Sequence, residues 1–456
     1  MKETKRRMEL FSFYDRTGLE RHLARMAQRG WLLCEIGQLF WHYRRIEPKT
    51  LRFCVCYFPK ATVYDPGPSE GQEEFYSMCA HAGWVLAGAS GQLQVFCNEQ
   101  ENPVPIDTDP ALEVEAIHQS AKKTFLLSNF LLLGVGVLNF CQFLWRLADD
   151  PVATLSSSLS LFSLVCWPVL IFMEGVDLIT YFRWRHGALR AAARGEFLAT
   201  KSHPALQMLA LTVVLAGLVW SLSYLRGGLG GVMAAAVLGS VGLIAAILGV
   251  RRLLKGARVS AKASRRATMA ACVALSLLFT ALVSWGVVRA LISSPQPGAE
   301  EPPLALADLT ETPADGELDQ DVRLTQSPLL AVLTASQYLR LGRSPGAPVP
   351  HWLQYTVIEV KAPFLYGLCR DAVVRDRTDS WNRNLPEGEG YLYQSADPAP
   401  WGAAEAYQWT SRTSGAGNTY LLCYPGRIVE IEFDAERPPT SAQMAVVAEK
   451  LGRGPL

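Results

Sequence analysis

Apolar residues fall along this chain in three patterns. The first occupies the middle, as five nearly unbroken apolar runs at about 124–145, 154–173, 206–225, 227–250 and 267–291. As helices rising 1.5 Å per residue, each reaches across a hydrocarbon layer about 30 Å thick. The third and fourth are joined by a tight turn at Arg226 and its glycines. The second pattern, over residues 8–98, is an alternation of strand and helix periods that occurs twice. A strand at 8–13 leads through Asp15 to a helix with Leu19, Leu23 and Met26 at helical spacing. Gly30 ends that helix, Trp31 opens a strand, and Gln38, Leu39 and Phe40 begin another that runs to Arg45. The second copy reads strand 51–58, helix 71–82, Gly83 and Trp84 at the stop, then Gln92, Leu93 and Val95 in the returning strand. Two β-α-β-β units predict one α+β sheet with both helices on one face. Gly30 and Gly83 act as left-handed helix caps, and Trp31 and Trp84 as structural anchors folding back onto the core.

The third pattern follows the last apolar run. Residues 293–328 are rich in Pro, Ala, Asp and Glu and read as a linker. Beyond it a strand at 353–360, a helix at 364–374 and a hairpin of 420–424 with 428–433 predict a small α+β domain. Pro425 and Gly426 turn the hairpin, and Val429, Ile431 and Phe433 alternate with Glu430 and Glu432. Ser441 caps a last helix ending near Leu451. The expected domains are therefore 1–121 (duplicated α+β), 122–292 (an all-α bundle of five transmembrane helices), 293–328 (linker) and 329–456 (α+β).

Composition agrees with a lipid environment: of 456 residues, 50% are hydrophobic and 19% charged, too oily for an ordinary soluble protein. The basic first residues are not followed by an apolar core and cleavage site, so no secretory signal peptide is expected. Charge sets the orientation. Lys122 and Lys123 precede the first run, whereas Arg146 beside Asp149 and Asp150 follows it. The next loop carries Arg183, Arg185, Arg190, Arg194 and Lys201. The loop after the fourth run carries Arg251, Arg252, Lys255, Arg258, Lys262, Arg265 and Arg266. Basic loops stay in the cytoplasm, which places the first domain inside and, after five crossings, the last domain outside.

Glu174 and Asp177 stand one helical turn apart just after the second run and are the candidate functional carboxylates. They form either an ion or proton site with Asn129, Asn139 or Gln142, or an interfacial pair with Arg183 or Arg185, and the interfacial reading is preferred. The fourth run has small residues at Gly227, Gly231, Ala235 and Gly239, with Gly242 and Ala246 behind. Such a ridge packs within the bundle or forms a homodimer seam. None of the ten cysteines has zinc spacing. Cys54 and Cys56 share one strand face as core, and Cys369 and Cys423 are the candidate disulfide on the oxidising side. Trp352, Trp381, Trp401 and Trp409 read as aromatic core before a ligand groove; His351 is solitary, and Asp397 and Glu405 make no recognisable catalytic pair. Arg6, Arg7, Arg44 and Arg45 read as solvated strand ends rather than as a nucleic-acid or headgroup patch.

Phe11, Phe13, Leu23, Met26, Gly30, Trp31, Arg52, Tyr57 through Pro59, Gly83 and Trp84 give the chain a recognisable outline. It resembles an uncharacterised family of Gram-positive bacterial membrane proteins with a cytoplasmic amino-terminal domain of unknown function followed by several spans. The resemblance covers residues 8–98 well and the rest loosely. It implies encoding beside PadR-type transcriptional regulators and a regulated envelope or signalling role, with no chemistry to carry over.

No phosphate-cradling loop, HExxH helix or nucleophile elbow occurs in a plausible context, so no catalytic residue, metal or cofactor is expected. The leading expectation is a multi-pass cell-membrane protein for signalling or interaction. Its outer domain meets a ligand or envelope partner, and its inner domain engages a cytoplasmic protein. A transporter or transporter accessory using Glu174 and Asp177 comes second, and an envelope enzyme with its site in the outer domain third. The lipid bilayer is an expected partner, a specific nucleic acid is not.

Overall fold

The computed structural model describes residues 3–453 except 10, 38–39, 201–203, 224–226, 258, 294–300, 310–315, 342–351, 387–388 and 434–437. The expectations resting on Gln38, Leu39, Lys201, Arg226, Arg258 and His351 lie outside the described residues. The chain divides into two compact units. One comprises Met1–Asn139, Cys166–Ala216 and Ala234–Trp285; the other comprises Phe140–Val165, Gly217–Met233 and Gly286–Leu456.

In the first unit, β1 (Thr4–Arg7), α1 (Arg16–Gln28), β2 (Trp31–Ile36) and β3 (Trp41–Arg45) build an antiparallel sheet of order β1-β3-β2. Then β4 (Arg52–Tyr57), α2 (Glu70–His81), β5 (Val85–Ser90) and β6 (Leu93–Asn98) build a second, of order β4-β6-β5. Three expectations are corrected here. The first strand is the basic, exposed Thr4–Arg7 and not 8–13; Phe11 and Phe13 alternate because both lean on the core, not because they join a ladder. There are two three-stranded sheets instead of one. The facing strands β2 and β5 each carry a bulge, at Leu33/Glu35 and Leu86/Gly88, and bulges bend a strand away from pairing. Finally, the helices do not share a face of β4. Leu19 and Leu23 of α1 cluster with Phe53, Val55 and Tyr57, whereas Cys79 of α2 clusters with Cys56 and Phe96. Successive strand residues point to opposite faces, so β4 is buried on both.

Local signals explain the helix ends. The Asp15 carboxylate accepts from Gly18 N at the start of α1, and Ser69 with Gln72 forms a capping box on α2. Gly30 and Gly83 sit at φ +80° and +82°, a region glycine enters without a side-chain clash. Trp84 is buried and donates from its indole N–H to the Val104 carbonyl. Trp31 is half-buried and packs against the first core cluster, with Lys5 and Arg45 stacked over its ring.

α3 (Pro110–Lys123) leads into α4 (Phe125–Asp149), and a short α5 (Pro151–Ser156) precedes α6 (Ser158–Ala192). α7 (Pro204–Ser223), α8 (Gly227–Gly256) and α9 (Ala261–Ser293) follow. Among the described residues four helices are long and apolar enough to cross a membrane: Phe125–Asp149, Ser158–Ala192, Ala234–Gly256 and Ala261–Gly286. α7 is apolar but shorter and is not among these four. Leu138, Leu238 and Leu253 are at least 70% exposed, which a helix facing hydrocarbon tolerates. α6 is a single helix of 35 residues where a span ending at 173 was expected. Its length, about 52 Å at 1.5 Å per residue, carries Glu174 and Asp177 in mid-helix. At Gly239 an added Cβ would lie 2.7 Å from the Phe279 ring of α9, whereas at Gly242 it would meet nothing within 4 Å. One side of the small-residue ridge thus packs inside the chain.

The second unit is built on a seven-stranded antiparallel sheet. Its elements are β7 (Gly316–Gln326), β8 (Leu330–Leu341), β9 (Trp352–Val360), α10 (Tyr366–Asn382), β10 (Tyr391–Ala396), β11 (Glu405–Ser411), β12 (Gly415–Tyr424), β13 (Arg427–Phe433) and α11 (Ser441–Val447). The order is β10-β11-β12-β13-β9-β8-β7. The expected hairpin is there, with Tyr424 opposite Arg427 and Gly426 at φ +74°. The expected linker is only partly one: β7 lies inside 293–328, and Leu318, Val322 and Leu324 keep strand alternation among the acidic residues. Leu304, Leu306 and Leu309 are buried as well. The last helix is capped by Thr440 with Gln443, one residue earlier than expected.

Candidate functional site

The first unit's core does not stop at its sheets. Phe13 and Tyr14, in the segment entering α1, project into rings from the helices: Tyr14 lies 5.7 Å from Phe125 of α4 and 5.2 and 5.6 Å from Tyr181 and Trp184 of α6. Tyr14 and Tyr181 are 1% and 0% exposed. One apolar cluster holds Leu19, Leu23, Val55, Ile117, Phe125, Leu178, Tyr181 and Trp184. Aromatic pairs of this kind add to their area burial through edge-to-face contact. Burial, then Asp177 and Asp15, push the Tyr14 hydroxyl above its ordinary range.

A polar network borders these rings. The Asp15 carboxylate, already the cap of α1, also accepts from the Thr200 hydroxyl at 2.9 Å. Thr17 N donates to Thr200 Oγ1 at 2.9 Å, and Thr200 N to Thr17 Oγ1 at 3.2 Å. Gln207 of α7 donates to Asp177 at 3.0 Å and to Ser12 Oγ at 3.5 Å. On α3, His118 Nδ1 meets the Tyr181 hydroxyl at 2.8 Å; burial, Arg185 and Lys122 hold its pKa below the usual histidine value. Buried polar groups with complete partners fix one arrangement of the elements that carry them. Here they tie the start of α1 to α6, α7 and the segment between those helices.

Of the predicted carboxylates, Asp177 belongs to this network and Glu174 does not. Both are half-buried. Asp177 is held by Gln207, where Arg183 or Arg185 was expected. Glu174 keeps one carboxylate oxygen buried with no hydrogen bond among the described residues.

A second cluster lies within the first domain and was not foreseen. Arg16 of α1 reaches Glu113 of α3 at 2.8 Å, Asp107 at 3.6 Å and Glu20 at 3.7 Å. Glu20 accepts from Val55 N. Burial, opposed by Arg16 and aided by Asp107 and Glu20, pushes Glu113 up to about 7. Beside them Cys54 and Cys56 bring their sulfurs to 3.6 Å, and Cys56 Sγ lies 3.8 Å from Asp107. The three donor atoms fall within 4.8 Å of one another, close enough for one soft divalent ion but one ligand short of a closed zinc site. Hydrogen bonding to Cys54 and burial push the Cys56 thiol well up. The shared strand face of the two cysteines was legible; Asp107 comes from a distant loop, and no spacing announces it.

In the second unit, α5, α10 and the sheet enclose a cleft of about 570 Å³ whose walls include Asp150, Asp376, Arg377, Trp381 and Glu430. Arg377 bridges Glu430 at 2.9 Å and Glu432 at 2.8 Å, and the Tyr393 hydroxyl donates to Glu430 at 2.6 Å. Trp401 and Trp409 are core, Trp352 is half-buried, and Trp381 is 52% exposed at the cleft. Asp397 accepts from Ala399 N, while Glu405 pairs with Arg370. The candidate disulfide is not formed: Cys369 and Cys423 are free, buried thiols. Cys369 is enclosed by apolar side chains, and burial pushes it up to about 11.

Length and composition of four helices, with two appended α+β regions, define a membrane protein class. Within it, residues 17–129 match the family model described as Protein of unknown function (DUF2812). No curated protein and no solved structure matches the chain.

Proposed function

We propose that this chain is a non-enzymatic membrane protein of signalling or interaction, in which the outer domain meets a ligand or envelope partner and the inner domain engages a cytoplasmic protein. The observation that carries the reading is the aromatic and polar junction at Tyr14, Asp15, Thr200 and Asp177. A domain whose core is continuous with α4 and α6 must respond to any rotation or shift of those helices, because packed cores rearrange between discrete states instead of deforming smoothly.

The reading includes five crossings, with α7 the third, the amino-terminal domain cytoplasmic and the carboxy-terminal domain outside. The charge alternation of the loops supports that sidedness. It also includes duplication as the origin of the two β-α-β-β units, which share a strand order of first, third, second. The Gram-positive origin and the link to PadR-type regulators rest on resemblance.

Photo-crosslinking in cells tests the interaction. A photoreactive residue at Met78 or at Val85, both more than half exposed, should trap a discrete cytoplasmic protein. Absence of any specific adduct at both positions would sink the interaction reading. One observation favours the transporter alternative: the buried Glu174 oxygen without a hydrogen bond among the described residues. Under signalling, Glu174→Gln leaves the adducts unchanged; under transport it abolishes solute or proton flux in reconstituted vesicles.

A further inference from the structure

The amino-terminal domain and the end of α8 enclose a pocket of about 320 Å³, near the lower size of small-ligand sites. Arg6 of β1 enters it from the domain; Arg251, Arg252 and Lys255 enter it from α8. Four cationic side chains line one space against a single carboxylate, that of Glu35, which is 59% exposed and lies 3.2 Å from His42. Arg251 stacks over Tyr64 at 4.9 Å. Like charges carried to a common pocket by two different elements repel, at about 1 kcal/mol per pair at 4 Å in water and several-fold more where solvent is thinned.

Surface position alone does not account for this. Cations at the end of an apolar helix complement its dipole and hold its loop in the cytoplasm, but neither effect requires Arg6 to face them. The rest of the lining is mixed, with Ile36, Phe40, Val63 and Leu248 beside His42, Thr62 and Ser90. An anion that also offers apolar surface suits both halves. Guanidinium forks match phosphate oxygens in pairs, and basic pockets at the cytoplasmic ends of membrane helices suit lipid phosphates.

We propose that this pocket binds a phosphate-bearing anion, held by Arg6, Arg252 and Lys255 with Arg251 at its side, and that the bound phosphate ties the amino-terminal domain to α8. The ligand is either the headgroup of an anionic phospholipid or a free phosphate compound. The site does not depend on the signalling reading.

The test uses the full chain. Purified in mild detergent and placed in nanodiscs of phosphatidylcholine with or without phosphatidylglycerol, it is followed by thermal unfolding and by native mass spectrometry for retained lipid. A parallel arm adds inorganic phosphate to pure phosphatidylcholine discs. Retained phosphatidylglycerol with a raised Tm assigns a lipid headgroup; a raised Tm with phosphate alone assigns a free compound. Arg6→Gln, and Arg252→Gln with Lys255→Gln, should each weaken binding about tenfold or more, as expected for one or two lost charged hydrogen bonds. Arg6→Lys should restore part of it and shows that the position tolerates substitution. Lys262→Gln with Arg265→Gln removes as much charge from the start of α9, outside the pocket, and should leave binding intact. The proposal is overturned if neither anion binds, or if the control pair loses as much as the pocket variants.

Discussion

Glu113 carries the most informative titration in the molecule. Its carboxyl is 8% exposed and raised from 4.5 to about 7 by burial and by Asp107 and Glu20, with Arg16 opposing. The unfolded chain releases this proton near its ordinary value, so between about 4.5 and 7 the folded domain binds more protons than the unfolded one. Stability contributed by this group is therefore present at acid pH and lost as pH rises towards 7. Glu113→Gln should remove that slope and raise the free energy of denaturant unfolding at pH 8 by up to about 3 kcal/mol; an unchanged pH profile would show that Arg16 holds Glu113 ionised. Tyr14 offers a second residue-scale prediction. Fully buried among Phe125, Tyr181 and Trp184, it should cost about 3–5 kcal/mol when cut to alanine. Hydrogen exchange should rise both in α1 and around Tyr181; a rise confined to α1 would show that the junction does not couple the two. Neither site was legible in the sequence. Arg16, Asp107 and Glu113 meet only because α1 and α3 both pack on β4, and Tyr14 looked like an ordinary residue before a helix cap.

Element ends were the most legible features, because the physics that sets them is local. Asp15, Gly30 and Gly83 announce a cap and two stops within a few residues. At Gly30 the backbone is left-handed and a Cβ would lie 2.9 Å from the Ile46 carbonyl. Gly30→Ala should therefore cost about 2 kcal/mol, measured as a shift in unfolding midpoint without a change in slope. Sheet arrangement was less legible. RFCVCY reads as one strand but does not say that α1 and α2 take opposite sides of it. The bulges that part β2 from β5 have no sequence signature stronger than Gly88 itself. β7 was hidden by averaging: its composition resembles a linker while its alternation is that of a strand. Helix contacts make a further prediction. Gly239→Leu collides with Phe279 of α9 and should lower the Tm of the detergent-solubilised monomer. Gly242→Leu meets open space and should leave the monomer intact, while abolishing interchain crosslinking if that side is a homodimer seam.

At the scale of the whole molecule the open question is whether α7 crosses. It is 20 residues long, about 30 Å at 1.5 Å per residue, equal to the hydrocarbon thickness with nothing to spare. If only four helices cross, the two ends of the chain share a side, and one of the two arginine-rich connections must be translocated. Residues 251–266, with Arg251, Arg252, Lys255, Lys262, Arg265 and Arg266 among them, would then lie opposite Lys122 and Lys123, against the charge rule. If α7 also crosses, every basic connection stays with the amino-terminal domain. Against the marginal length of one helix stand the seven cations of this connection, which the bias of basic loops towards the cytoplasm keeps on the side of Lys122 and Lys123. The measurement needs two reporters. Cys34 is exposed in the first domain, and Phe364 is 81% exposed in the last. With other cysteines replaced, a membrane-impermeant maleimide on intact cells should modify the Phe364→Cys variant and spare Cys34 until the cells are opened. Protection of both would mean four crossings with both domains inside, and it would remove the outer ligand from the proposed function while leaving the Tyr14 junction and the phosphate pocket where they are.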